Sequence, residues 1–191
     1  MCFGRRMTSD QRFRESLARD LYNAAVRKGP FRLRSGEFTT EYFDKYLIEA
    51  DPKLLLRVCQ NLRKILPSKA EILAGMELGG LPIATVLSQI TGLPARFVRK
   101  HAKEYGTGKL SEGGSVRGRH VVIIEDVLTS GGAVIQAVKA LRGAGAIVHN
   151  VVCVLEHECG GEATLNEFGM ELRRLFSMQE LKESAAENDL F

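Results

Sequence analysis

Apolar residues recur at helical spacing over residues 10–27, at Phe13, Leu17, Leu21 and Ala24 or Ala25, which predicts an amphipathic helix ended by Lys28-Gly29-Pro30. FRLRSGEFTTEYFD, residues 31–44, reads as two short strands around a Ser35-Gly36 turn. Asp51-Pro52 supplies an N-cap and a first-turn proline for a second helix, whose stripe is Leu55, Val58, Cys59, Leu62 and Ile65 or Leu66. From there short apolar runs at residues 71–74, 95–98, 120–124, 147–155 and 172–176 alternate with helical segments near 82–91, 131–142 and 162–168. Ser177-Met178-Gln179-Glu180 matches a capping box and opens a last helix before a polar tail. Strands apolar on both faces, alternating with helices, predict an α/β fold with a mainly parallel sheet covered on both sides.

One stretch breaks the rhythm. Residues 100–118, KHAKEYGTGKLSEGGSVRG, are rich in glycine and carry Lys100, Lys103, Lys109 and Arg117 with almost nothing apolar. So long a connection predicts a mobile lid that brings positive charge over a neighbouring site. No linker or repeat divides the chain, so residues 1–191 read as one domain, with 1–9 as a disordered extension or Met7 as an alternative start.

The chemistry concentrates in VVIIEDVLTSGG, residues 121–132. In an open parallel sheet, ligands bind beyond the carboxyl ends of the strands. The expected strand end places Glu125 and Asp126 there. Thr129-Ser130-Gly131-Gly132 then leads into a helix near Ala133, with small residues, hydroxyl donors and about half a positive charge at the helix N-terminus for a phosphate. The two carboxylates would repel a phosphate. They suit a ligand that also carries hydroxyls, such as a ribose phosphate, or one that brings a metal ion.

The chain is 45% hydrophobic and 26% charged, an ordinary globular balance, and its net charge of +4 suits small anionic substrates better than nucleic acid. Four cysteines without a CxxC pair predict a reduced, cytoplasmic setting. Cys153, His157 and Cys159 match no usual zinc spacing. No apolar run approaches the ~20 residues that a membrane span needs.

VVIIEDVLTSGG resembles the ribose-5-phosphate signature of the type I phosphoribosyltransferases, and the resemblance narrows to the orotate branch over residues 28–181. It implies that fold, with a small N-terminal hood, and transfer of ribose phosphate from phosphoribosyl pyrophosphate (PRPP), with Mg2+, onto orotate. No residue of the chain is assigned as a metal ligand. The hood stretch supplies Arg34, where Lys is common, and Phe43 to the base pocket. AGMELGGLPIA is similar to the pyrophosphate loop at Glu77, Leu78, Gly79 and Gly80, whose glycines would let backbone approach a diphosphate. VRKHAKEYGTGKLSEG looks like the catalytic loop, with Arg99, Lys100 and Lys103 on its R-K-x-x-K pattern and Tyr105 where many members have His. The family's Asp-Arg-x-x-Gly-Gly appears here as Glu156-His157-Glu158-Cys159-Gly160-Gly161, so His157 replaces an arginine that contacts the pyrimidine, or is a structural histidine satisfied by Glu156 or Glu158.

On this resemblance Lys103 is the catalytic cation, Glu125 and Asp126 hold the ribose hydroxyls, and Asp126 helps stabilise oxocarbenium charge. Thr129, Ser130, Gly131, Gly132 and Ala133 grip the 5′-phosphate. The resemblance further implies a homodimer with shared active sites. Two other readings stand beside it: transfer to a different base, given His157, and a non-catalytic PRPP-sensing regulator.

Overall fold

The computed structural model describes residues 9–32, 36–100, 110–157 and 159–186. Helix α1 (Ser9–Ala25) buries Leu17, Ala18, Leu21 and Ala25, while Phe13 stays largely exposed. The expected stripe is therefore one residue shorter. Phe13 lies instead beneath the Arg57 guanidinium, 5.5 Å from its ring centre, and Arg57 also pairs with Asp20 at 2.6 Å.

The chain passes straight from α1 into strand β1 (Val26–Arg32), so Lys28-Gly29-Pro30 lies inside a strand rather than ending a helix. β1 pairs antiparallel with β2 (Phe38–Phe43), and their register shifts between Lys28 and Phe31. That irregularity takes up Pro30, whose missing N–H then interrupts no regular ladder bond. A one-turn helix that the sequence pattern did not predict, α2 (Tyr46–Glu49), follows. Helix α3 (Pro52–Ile65) starts as expected: the Asp51 carboxylate accepts the backbone N–H groups of Lys53 at 2.8 Å and Leu54 at 3.0 Å. Leu54 adds to the expected stripe of Leu55, Val58, Cys59 and Leu62.

The remaining elements are β3 (Ile72–Met76), α4 (Gly80–Thr91), β4 (Ala95–Val98), β5 (Ser111–Glu112), β6 (His120–Leu128), α5 (Gly132–Gly143), β7 (Ile147–Glu156), α6 (Gly161–Glu167), β8 (Glu171–Ser177) and α7 (Met178–Ala186). They build a six-stranded sheet in the order β5-β4-β3-β6-β7-β8, parallel throughout except for β5. Alternate residues of a strand face opposite sides. Val122 and Ile124 of β6 pack with α1, α3 and α4, whereas Val121 and Ile123 pack with α5. Buried layers on both faces explain why the strands read as unbroken apolar runs.

At the C-terminal end, Ser177 and Glu180 make the capping box: the Ser177 N–H donates to the Glu180 carboxylate at 2.7 Å and the Glu180 N–H to the Ser177 hydroxyl at 3.2 Å. Within the glycine-rich stretch, the half from Leu110 onward is tied to the sheet. The Arg99 N–H donates to the Leu110 carbonyl at 2.9 Å, β5 pairs with β4, and the Arg96 guanidinium holds the carbonyls of Gly114 and Ser115. The expectation of a lid over residues 100–118 thus meets a short strand and a buried Val116 in its second half. Lys103 and Tyr105 lie outside the described residues, as does Arg34 of the hood.

Candidate active site

Strand β6 runs four residues beyond the expected end at Ile124 and carries Glu125 and Asp126 within the sheet. Pleating starts these neighbours on opposite sides of the strand, yet their carboxyl groups stay within hydrogen-bond contact of each other. Glu125 follows Ile123 and Val121 to the α5 side, where it lines an open cleft of about 800 Å³. Asp126 follows Val122 and Ile124 to the α4 side and is 2% exposed.

The cleft brings together most of the phosphate-binding residues read from the sequence: Thr129, Ser130, Gly131, Gly132 and Ala133 on one wall, Glu77, Leu78, Arg99 and Lys100 on the other. Gly131 takes the N-cap position of α5 at φ +78° and offers no capping side chain. The first backbone N–H to find a helical acceptor is that of Ile135, on the Gly131 carbonyl at 3.0 Å. The N–H groups of Gly132, Ala133 and Val134 precede it and have no acceptor within the helix, which makes this end an anion cradle. Glu77 accepts the Lys100 N–H at 3.0 Å and so fixes the point where the basic stretch leaves the sheet. The peptide bond between Glu77 and Leu78 is cis.

Gly79 and Gly80 stand behind this wall, not on it. A Cβ on Gly80 would collide with the Ile124 carbonyl, and one on Gly79 with the carboxylates of Asp126 and Glu49. These glycines thus admit close packing of α4 on β6 and of the loop before it on Asp126 and Glu49.

A second cleft, of about 530 Å³, adjoins the first and contains Phe43 and His157 together with Thr39, Glu41, Tyr42, Met178 and Lys182. Three residues, Lys45, Val127 and Thr129, line both clefts. The His157 N–H donates to the Leu128 carbonyl at 2.9 Å, which holds the end of β7 beside that of β6. Its imidazole Nδ1 lies 3.5 Å from the Cys159 thiol. Glu156, one of the two acceptors expected for it, is turned inward to Arg174 at 3.0 Å; the other, Glu158, lies outside the described residues.

Lys45 is the residue that the sequence reading missed. Its ammonium sits 2.5 Å from Asp126 Oδ2. Burial alone would lower the Lys45 pKa, but the hydrogen bond and charge of Asp126 outweigh it and hold it above its ordinary value. Burial likewise opposes charge on Asp126, yet hydrogen bonds from Glu125 and Lys45 keep it ionised below the usual range. The other two carboxyls move the opposite way. Burial and then the neighbouring Asp126 push Glu49 up to about 8, and burial with the same neighbour raises Glu125 well above its ordinary value. One ammonium, one carboxylate and two carboxyl groups whose charge is disfavoured thus form the floor between the clefts. No local signal in FDKYLIE marks Lys45, because its partner arrives from another strand.

Residues 48–169 match the model of the phosphoribosyl transferase domain. The chain belongs to the phosphoribosyltransferase family. It is 53% identical over 87% of its length to an orotate phosphoribosyltransferase from Nocardioides, covering 93% of that protein. It is 40% identical over 82% of its length to one from Methanocella arvoryzae, covering 90% of it. Among solved structures, the Mycobacterium tuberculosis orotate phosphoribosyltransferase in complex with PRPP superposes with a TM-score of 0.76 at 25% identity, over 89% of this chain and 99% of that one.

Proposed function

We propose that this chain is an orotate phosphoribosyltransferase, which converts orotate and PRPP to orotidine 5′-monophosphate and pyrophosphate in pyrimidine biosynthesis. The carrying observation is the meeting of the two clefts at Lys45, Val127 and Thr129, in a chain whose relatives bear that name. Displacement at the anomeric carbon asks the protein for positioning and charge stabilisation rather than covalent chemistry. The N–H groups of Gly132, Ala133 and Val134, with Thr129 and Ser130, bind the 5′-phosphate. Glu125 faces the ribose hydroxyls, while Asp126 acts from below by holding Lys45. Arg99 and Lys100 meet the pyrophosphate, and Lys103 and Tyr105 complete that end by resemblance. Phe43 and His157, with Arg34 from the hood, enclose the base. The working unit is a homodimer that shares its sites through the basic loop, and its setting is the cytoplasm.

Among the described residues no three Asp, Glu, His or Cys side chains form a group that could hold a metal ion. Mg2+ fits instead as part of the substrate, carried on the diphosphate, because it retains water and phosphate oxygens and needs few protein ligands. Glu125 and Glu77 line the same cleft and would face it there, and bound magnesium would neutralise charge on the departing pyrophosphate.

The deciding assay follows ultraviolet loss of orotate with PRPP and Mg2+, with uracil, adenine and hypoxanthine in parallel. Consumption of orotate alone is the expected result. Turnover of another base would reassign the pocket, and PRPP binding without any turnover would make the chain a sensor.

A further inference from the structure

The base cleft lacks the arginine that the resemblance would place at His157, so beyond Arg34 of the hood, which lies outside the described residues, another cation has to take that arginine's part in meeting an anionic base. Among the described residues two ammonium groups line this cleft, those of Lys45 and Lys182. Lys45 is committed to the buried Asp126 at 2.5 Å. Lys182 is placed differently. It sits on α7 one turn beyond Met178, and both line the cleft, as side chains four residues apart on a helix do. The helix is a rigid platform: the capping box fixes its start, and the Arg14 guanidinium bonds both Glu180 at 2.8 Å and the Leu175 carbonyl at 2.7 Å. From there the Lys182 ammonium reaches Glu41 Oε2 of β2 at 2.7 Å, with the two side chains 51% and 36% exposed. Glu41 stands opposite Lys28 in the β1–β2 pairing, so a second ammonium flanks the same carboxylate.

An ion pair as exposed as this one adds little stability, so exchanging its carboxylate for another costs little. We propose that Lys182 is a specificity-determining residue for the base: it binds the base's carboxylate, and Glu41 holds that position until the base arrives. The inference rests on the orotate reading and names the group that recognises the substrate's charge. A base without a carboxylate offers nothing to replace Glu41 and leaves the pair in place, so the same contact selects against it.

The test measures steady-state constants of the full chain for wild type, Lys182→Gln, Lys182→Arg and Glu41→Gln. Lys182→Gln is expected to raise KM for orotate roughly ten- to a hundredfold, the loss of one charge-assisted contact, with kcat and the KM for PRPP within about twofold. Lys182→Arg should restore most of the affinity, and Glu41→Gln should lower the orotate KM by removing the competitor. Competitive inhibition by uracil, which carries no carboxylate, should be the same in Lys182→Gln and wild type. A Lys182→Gln enzyme with the wild-type orotate KM would overturn the proposal while leaving the orotate reading intact. So would a variant that loses affinity for orotate, uracil and PRPP alike, since that is the mark of a structural role. A wild-type protein that consumes no orotate would overturn the reading itself and the proposal with it.

Discussion

The Lys45 ammonium lies 2.5 Å from Oδ2 of Asp126, an aspartate 2% exposed, while the adjacent Glu125 faces the open cleft. Two neighbouring carboxylates therefore do different work. Asp126 balances a charge in the floor, and Glu125 lines the cleft above it.

Asp126→Asn removes the counter-charge of a partly buried ammonium and should destabilise the fold on the order of 2 kcal/mol, or roughly 5 °C in Tm for a chain of this size. Glu125→Gln keeps the size of the side chain and a donor for Asp126 and should leave Tm nearly unchanged, while weakening PRPP binding about tenfold because an amide offers the ribose one acceptor oxygen where a carboxylate offers two. Thermal unfolding and calorimetric titration of both variants check this. The reverse pattern, with Glu125→Gln unstable and Asp126→Asn stable, would exchange their roles.

Glu49 sets a pH dependence. Its carboxyl titrates near 8 in the folded protein, against 4.5 in the free side chain, because burial and Asp126 both disfavour its charge. The folded value is the higher one, so this stabilisation is fully present below about pH 4.5 and is lost as pH rises towards and through 8. Glu125 shifts in the same direction and adds to the slope. Denaturation midpoints from pH 5 to 8.5 should fall in wild type and fall less steeply in Glu49→Gln. Parallel curves for the two proteins would show that Glu49 does not couple to the fold.

Two glycines of the site separate packing from binding. A Cβ on Gly80 meets the Ile124 carbonyl, which the sheet holds in place, so Gly80→Ala should cost about 2–3 kcal/mol or more. A Cβ on Gly132 has only the Ser130 hydroxyl near it, at 3.9 Å. Gly132→Ala should fold as well as wild type yet bind PRPP less tightly, because the methyl group stands where the phosphate approaches the helix N-terminus. Chemical denaturation paired with PRPP titration reads both effects.

Lys103→Ala should depress turnover by about a hundredfold or more while changing PRPP affinity far less, since the charge on pyrophosphate grows only as the bond breaks. Rapid-quench kinetics beside equilibrium binding separates the two. Unchanged turnover would remove the loop lysine from the chemistry.

Much of this molecule was legible in local patterns. The Asp51-Pro52 start, the capping box at Ser177 and the apolar runs that became β3, β4, β6, β7 and β8 each depend on residues within a few positions of one another. The small residues of Thr129-Ser130-Gly131-Gly132 likewise announced an anion cradle, because the helix N-terminus that forms it follows directly in sequence.

The rest required the chain to return on itself. Pleating tells from sequence that Glu125 and Asp126 leave the strand on opposite sides, but only the packed layers decide which of them lines the open cleft and which is buried against Lys45. That Gly79 and Gly80 also lie against Asp126, Glu49 and the Ile124 carbonyl shows only once β6 and α2 are packed beside them. Pro30 reads as a stop until its strand finds a partner with a register shift to absorb it. Lys45 and Lys182 are ordinary surface lysines in the sequence and become part of the floor and the rim through Asp126 and Glu41, residues on other elements. Local preference sets what each segment forms. Charge pairing, burial and close approach depend on distances in space, and those exist only once the sheet and its helices are packed.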